Sequence, residues 1–317
     1  MGLSRIALVA AMAGACLSAP APAAAQTRPV VYVVPIEGMI DMGLAPFVQR
    51  ALDQARNDNA AAVILDINTF GGRLDAAVVI RDALLASPIR SVAFVNRRAI
   101  SAGALISLAA ERIVMTDGAT IGAATPVQMG QTDSMPSRIQ EKSLSYVRKE
   151  FRATADSRKR PPQIAEAMVD SDVAIPGVIE AGKLLTLTTD EALTHKVADF
   201  RANSIPDVLT WLALPNAEVR RLSPNWGERA VRLITHPIVA SILLSVAMLG
   251  ILIEIRTPGF GVPGALGLLS LGLLLGGHWI VELVGWEELL LVGAGLILLA
   301  VEIFVIPGFG LAGVAGI

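Results

Sequence analysis

Residues Ile238 to Ile253 contain no charged side chain. A soluble surface helix alternates apolar and polar faces, so an all-apolar run of this kind, with its flanks, reads as a membrane span. Two more runs follow, Phe260–Val281, interrupted in its body only by His278, and Leu289–Val301. The overall hydrophobic share of 53% therefore averages a greasy region after residue 232 with an ordinary soluble region before it. A repeat punctuates the greasy region. Glu254-Ile-Arg-Thr-Pro258-Gly-Phe-Gly261 returns as Glu302-Ile-Phe-Val-Ile-Pro307-Gly-Phe-Gly310, with the prolines 49 residues apart. Each copy ends one apolar helix and introduces the next. Only Leu311–Ile317 follow the second copy, which predicts a chain truncated at its C-terminus. Glu254 and Glu302 fall at span ends, where the simpler reading is an interfacial position and the sharper one a functional intramembrane acid.

At the other end, Met1 and Arg5 precede an apolar stretch from Ile6 to about Leu17, then Ala19-Pro-Ala-Pro-Ala-Ala-Ala25. A basic start, a short apolar core and an Ala-x-Ala end predict a secretory signal peptide over residues 1–25. The apolar core is shorter than the roughly 20 residues of a span. Cys16, the chain's one cysteine, falls inside it, so the mature protein would hold neither disulfide nor thiolate. Export puts the soluble region on the extracytoplasmic side of a cell (inner) membrane crossed several times. Arg256 in the first return loop suits the cytoplasmic face. Arg220, Arg221, Arg229 and Arg232, just before the first span, disagree with that orientation.

Between these ends, about 200 residues suffice for one core. Val30–Ile36, Ala61–Ile67, Ser91–Val95 and Arg112–Thr116 read as strands. Leu44–Arg56, the stretch after Gly72 to about Leu85, and Ala102–Ala110 read as helices. Turns are predicted at Asn68–Gly72 and Arg97–Ala99. The alternation predicts an α/β domain with parallel strands. Further helices are predicted near Arg138–Phe151 and Gln163–Val169. Leu185–Leu193 closes the domain, with Thr189 or Asp190 capping its helix. A net charge of −2 argues against nucleic-acid binding.

Few residues are suited to catalysis. Of three histidines only His195 lies in the soluble region, where it reads as a helix C-terminal residue or, less simply, a triad member. The scarcity of His and Cys argues against a metal site, and no phosphate-binding glycine loop suggests a cofactor. Ser101 stands between a strand and a helix rich in small residues, where it is a helix cap or an exposed nucleophile. Gly71-Gly72 ends a buried strand and is a simple turn or, with the N–H of Gly72 joined by that of Ala102, an oxyanion hole. A Ser-Lys pair needs a lysine turned neutral by burial. Lys142 and Lys149 share one side of their predicted helix, and spacing does not separate them.

Five stretches carry a family resemblance: Ile64–Gly72, Ala99–Ala104, Asp117–Pro126, Lys142–Arg148 and Leu187–Ala192. Together with the spans and their Pro-Gly-Phe-Gly turns they resemble the NfeD-type membrane proteases of the ClpP/crotonase fold class. The resemblance implies a ClpP/crotonase-like α/β soluble domain over 26–232, followed by an α-helical transmembrane region over 233–317. It implies a serine endopeptidase with Ser101 as nucleophile, Lys142 as general base, and Gly72 and Ala102 as oxyanion hole. It further implies a polypeptide substrate with apolar segments, a stomatin-like membrane partner, contact with membrane lipid, and homo-oligomers. Two departures stand out. The family usually carries Thr-Pro-Gly-Gly where this chain has Thr69-Phe70-Gly71-Gly72, and the small β-barrel domain that ends the family's long form has no counterpart here. Phe70 leaves a non-catalytic membrane scaffold open as a rival. The shared fold leaves a crotonase-like acyl-CoA enzyme open too, although an exported domain argues against it.

Overall fold

The computed structural model describes residues 28–126, 137–256, 261–280, and 287, 290–295 and 297–298. The proposed signal peptide and the second Pro-Gly-Phe-Gly copy lie outside these residues, and the third apolar run lies partly outside them.

The first half alternates as expected: β1 (Val30–Ile40), α1 (Leu44–Asn57), β2 (Ala62–Gly72), α2 (Leu74–Ala86), β3 (Ser91–Ile100), α3 (Ala102–Ala109), β4 (Arg112–Met115) and β5 (Thr120–Gly122). Then come α4 (Ser137–Ser157), α5 (Pro162–Ala167), β6 (Thr186–Thr188), α6 (Thr189–Thr194), β7 (Phe200–Arg201), α7 (Ile205–Trp211), β8 (Glu218–Arg221) and α8 (Trp226–Ile234). The apolar helices α9 (Pro237–Arg256) and α10 (Val262–Ile280) follow.

One sheet runs β6-β5-β3-β2-β1-β8, with β4 joined to β3 and β7 to β4. All pairs are parallel except β5–β6. Such a sheet is covered on both faces, which is why its strands read as continuous apolar runs. Tyr32, Val34 and Ile36 point into the main core with α1, α2 and α3, while Val31 and Val33 point to a second core closed by Val208 and Leu209 of α7 and by Leu212 just after it. Phe200 and Trp211 stack there with centroids 5.1 Å apart.

Three expectations need correction. The turns predicted at Asn68–Gly72 and Arg97–Ala99 are strand. Ile40 pairs with Gly72, and Arg98 and Ala99 pair with Thr120 and Ile121, so ladder bonds hold both segments extended. The cap of α6 is Thr188, whose hydroxyl accepts from Glu191 N–H while the Glu191 carboxylate accepts from Thr188 N–H. That reciprocal box fills two orphan donors, which neither Thr189 nor Asp190 does. The domain also does not close at Leu193, since β7, α7 and β8 complete the second face.

α9 and α10 pack as an antiparallel pair through small residues: Ala247 and Gly250 against Gly264, Gly267 and Ser270. A Cβ on Gly250 would lie 2.4 Å from Pro263 O and 2.8 Å from Gly267 Cα, so glycine sets the approach. Glu254 accepts the N–H of Gly261 and, at 2.8 Å, that of Gly264, which satisfies orphan donors at the start of α10. The acid that opens each Glu…Pro-Gly-Phe-Gly copy thus has, in the first copy, a capping role.

Candidate active site

β1, β2 and β3 end together at one edge of the sheet, and α3 begins there. Ser101 joins β3 to α3 with φ 56° and ψ −120°. L side chains avoid this region. A strained strand-to-helix turn of this kind lifts a hydroxyl clear of the sheet. The backbone is held on both sides. Ser101 N–H donates to Gly122 O at 2.9 Å, and Ser101 C=O accepts from Ala104 N–H at 2.9 Å and Leu105 N–H at 3.3 Å. The side chain caps nothing, so the capping role that the local pattern left open is not the one it plays. Ala102 is the first residue of α3, where N–H groups lack intrahelical acceptors and the helix favours negative charge.

The far end of α3 is clamped as firmly. Arg158 donates to Ala109 O at 2.7 Å and the buried Arg160 to Ala110 O at 3.0 Å. These arginines, with Arg112, Lys159 and Lys196, line a cleft of about 640 Å³, at the opposite end of α3 from Ser101.

Gly71 is what touches Ser101. Its φ is 107°, and a Cβ would lie 2.6 Å from Ser101 Cβ and 3.1 Å from Ser101 Oγ. Its N–H is taken by Thr69 Oγ1 at 2.9 Å, and that hydroxyl donates to Gly38 O at 2.5 Å. Gly72 lies against β1 instead, where a Cβ would lie 2.1 Å from Ile40 O. Arg73 N–H, not that of Gly72, donates to Ile40 O. Gly72 ends β2 one residue past Gly71, and Ala102 opens α3 one residue past Ser101.

Lys142 is not buried. It is exposed near the start of α4, and neither Lys142 Nζ nor Ser101 Oγ makes a hydrogen bond to another described residue. α4 docks through Leu144, Val147, Phe151 and Ala155, a stripe of helical spacing. The two lysines differ in partner: Lys149 Nζ lies 3.1 Å from Glu166 Oε1 on α5. His195 ends α6, as its bland reading has it. Phe70 is 73% exposed beside Gly71, with the Arg98 guanidinium 4.4 Å above its ring.

Comparison with known proteins puts names beside this geometry. The family models "NfeD1b, N-terminal domain" and "NfeD integral membrane domain" match residues 30–222 and 238–317. The membrane protein NfeD1b of Bacillus subtilis is 36% identical over 291 residues, 92% of this chain and 65% of that protein. The membrane-bound protease PH1510 of Pyrococcus horikoshii is 29% identical over 317 aligned positions, 91% of this chain and 66% of that protein. The chain thus spans a little under two thirds of the length of both relatives. Among solved structures, a lysine-to-alanine variant of the 1510-N membrane-bound stomatin-specific protease, in complex with a substrate peptide, has TM-score 0.55 and 28% identity. It covers 66% of this chain and 99% of that one. The soluble domain has the ClpP-like fold of these proteases, and the chain is a membrane protein belonging to the NfeD family.

Proposed function

We propose that this protein is a membrane-anchored Ser-Lys endopeptidase that cleaves apolar segments of membrane-associated polypeptides. One observation carries the reading: Ser101 occupies a strained turn at the N-terminus of α3, with its backbone bonded and its hydroxyl without a hydrogen bond among the described residues. A residue placed only to start a helix has no need of that strain.

In the proposed reaction Lys142, in its amine form, takes the Ser101 proton as Oγ attacks the peptide carbonyl carbon. The N–H groups of Gly72 and Ala102 receive the oxyanion. Lys142 then returns the proton to the leaving amine as the C–N bond breaks, and water hydrolyses the acyl-serine by the reverse proton path. Lys142 is exposed and makes no hydrogen bond among the described residues, and in this reading the dyad closes when a peptide is seated there. Neighbours of this site are proteases, one of them named stomatin-specific. A stomatin-like partner is therefore part of the proposal, as are homo-oligomers, removal of a signal peptide over 1–25 and an extracytoplasmic catalytic domain over 26–232. A silent scaffold is the second reading, favoured by the distance of Lys142 from any bonding contact with Ser101 and by Phe70.

The test uses the full chain in lipid vesicles with apolar peptides, comparing it with Ser101→Ala and Lys142→Ala. Cleavage lost in both variants supports the dyad. Cleavage retained by either variant refutes the site, and an inactive parent chain favours the scaffold.

A further inference from the structure

α8 is amphipathic the wrong way round for a soluble domain. Surface helices turn their apolar stripe to the core and their charges to water. In α8 the charged pair Glu228 and Arg232, one turn apart, faces the protein. Arg50 of α1 donates to Glu228 at 2.7 and 2.9 Å, and Arg232 donates to Asp41 at 3.0 Å and Met39 O at 3.0 Å. The opposite face carries Trp226, Arg229 and Leu233, which recur at helical spacing. Trp226 is 81% exposed and Leu233 is 62% exposed. No residue of α8 is buried, and the Arg229 side chain has no partner among the described residues.

This outward apolar face is continuous with the membrane region. Only Thr235 and His236 separate α8 from α9, and Ile234 packs where a Cβ on Gly277 of α10 would lie, 2.5 Å away. An exposed tryptophan, a leucine and a free arginine next to a span are the composition of a helix in the headgroup layer.

We infer that the Trp226–Arg229–Leu233 face of α8 lies on the lipid surface and holds the Ser101 edge of the sheet toward the membrane. The docking residues fix which edge is presented. Arg232 binds at the end of β1, where Ile40 pairs with Gly72, and Gly71 touches Ser101. Ser101 is thus two strands, about 10 Å, from the point where α8 docks. Pro237, which opens the first span, is five residues on, a reach of at most about 18 Å. Phe70, another of the few large apolar side chains exposed outside the spans, sits at the same edge. The lipid is anionic by the chemistry of Arg229.

The test uses the full chain with Cys16→Ser and single cysteines replacing Trp226, Leu233 or, as an aqueous control, the exposed Lys183. The chains are spin-labelled and reconstituted in phosphatidylcholine vesicles with or without phosphatidylglycerol. Labels at 226 and 233 are expected to collide with oxygen more than with an aqueous nickel chelate, more so with phosphatidylglycerol, and the label at 183 to show the reverse. Labels at 226 and 233 that behave like the one at 183 overturn the inference. So do labels shielded from both reagents, which would mean a protein covers this face. The consequence for cleavage rests on the protease reading and is tested separately. A lipid-tethered apolar peptide should be cut about tenfold or more faster than the same free peptide. The double variant W226E/L233E should lose that preference while cutting the free peptide at the parent rate. If neither peptide is cut while the labels report lipid, the protease reading fails and the membrane contact stands.

Discussion

α3, which Ser101 opens, is buried along its whole length, whereas α4 is in solvent at Lys142 and docks through Leu144, Val147, Phe151 and Ala155. The serine is bonded through its backbone to β5 and to the first turn of α3, and Gly71 presses against it. The lysine makes no hydrogen bond or ion pair among the described residues. The difference teaches that one half of the proposed dyad is built into the sheet edge, while the other depends on what enters beside it. Conformational strain sits on the fixed half, where the surrounding bonds over-determine it.

The sharpest way to break this comparison is at Ser101. Ser101→Ala should lower peptide cleavage by about 10⁴-fold or more, leaving oxyanion-hole catalysis only. The side chain makes no hydrogen bond among the described residues, so its melting temperature should match the parent's. Ser101→Gly should be equally inactive yet more stable, by about 1 kcal/mol, because glycine accepts φ 56° without strain. A Ser101→Gly protein less stable than the parent in denaturant titration would show that the turn is not strained. Gly71→Ala tests the same turn from the other strand. A methyl 2.6 Å from Ser101 Cβ at φ 107° should cost about 2–6 kcal/mol and abolish cleavage.

These features were unevenly legible in the sequence. The buried strands were plain, since a parallel sheet covered on both faces needs unbroken apolar runs such as Ala62–Ile67. Their ends were not, because Asn68–Gly72 and Arg97–Ala99 look like turns and become strand only by pairing with Met39, Ile40, Thr120 and Ile121. The position of Ser101 could be read, but its backbone geometry could not, since it depends on Gly122, 21 residues away. The Thr188…Glu191 spacing was a capping box in full view. β8 was hidden because Glu218-Val-Arg-Arg221 is three-quarters charged; it pairs with β1 while Arg220 and Arg221 reach Asp58 and Asp66. Those carboxylates, with Asp41 for Arg232, also bind three of the four arginines that gather before the first span and that disagreed with the predicted orientation.

The loose half is tested by the lysines. Lys142→Ala should lower cleavage by about 10²–10⁴-fold with no change in melting temperature, as an exposed residue has nothing to lose. Lys149→Ala should keep activity and lose at most about 1 kcal/mol with its Glu166 pair. Reversed results would exchange the two residues in the mechanism.

A smaller effect belongs to the docking of α8. The Arg50 guanidinium hydrogen-bonded to Glu228 holds that carboxyl below its ordinary value of 4.5. A depressed carboxyl pKa gives stability that is complete above 4.5 and is lost as pH falls through the lower folded value. Acid titration below that point should therefore loosen α8, seen as increased mobility of a label on the helix. Glu228→Gln should weaken docking by about 1 kcal/mol and remove that pH dependence.

The smallest expected effect concerns Phe70, and it decides between the enzyme and the scaffold. A silent scaffold has no cleavage for Phe70 to affect, whereas in a protease a ring exposed at this position contacts substrate. The ring lies under Arg98, on the strand that leads to Ser101. Such a contact at an exposed site is worth about 0.5–1 kcal/mol. Phe70→Ala should cost that much in denaturant titration, and Arg98→Ala the same, with little further loss in the double variant because both remove one contact. Phe70 is exposed at the edge where a peptide must lie, so Phe70→Ala should also raise KM for apolar peptides with kcat nearly unchanged, the sign of lost ground-state binding. A fall in kcat at constant KM would mean that Phe70 acts on the Gly71–Ser101 turn itself, joining substrate groove and strained serine in one device.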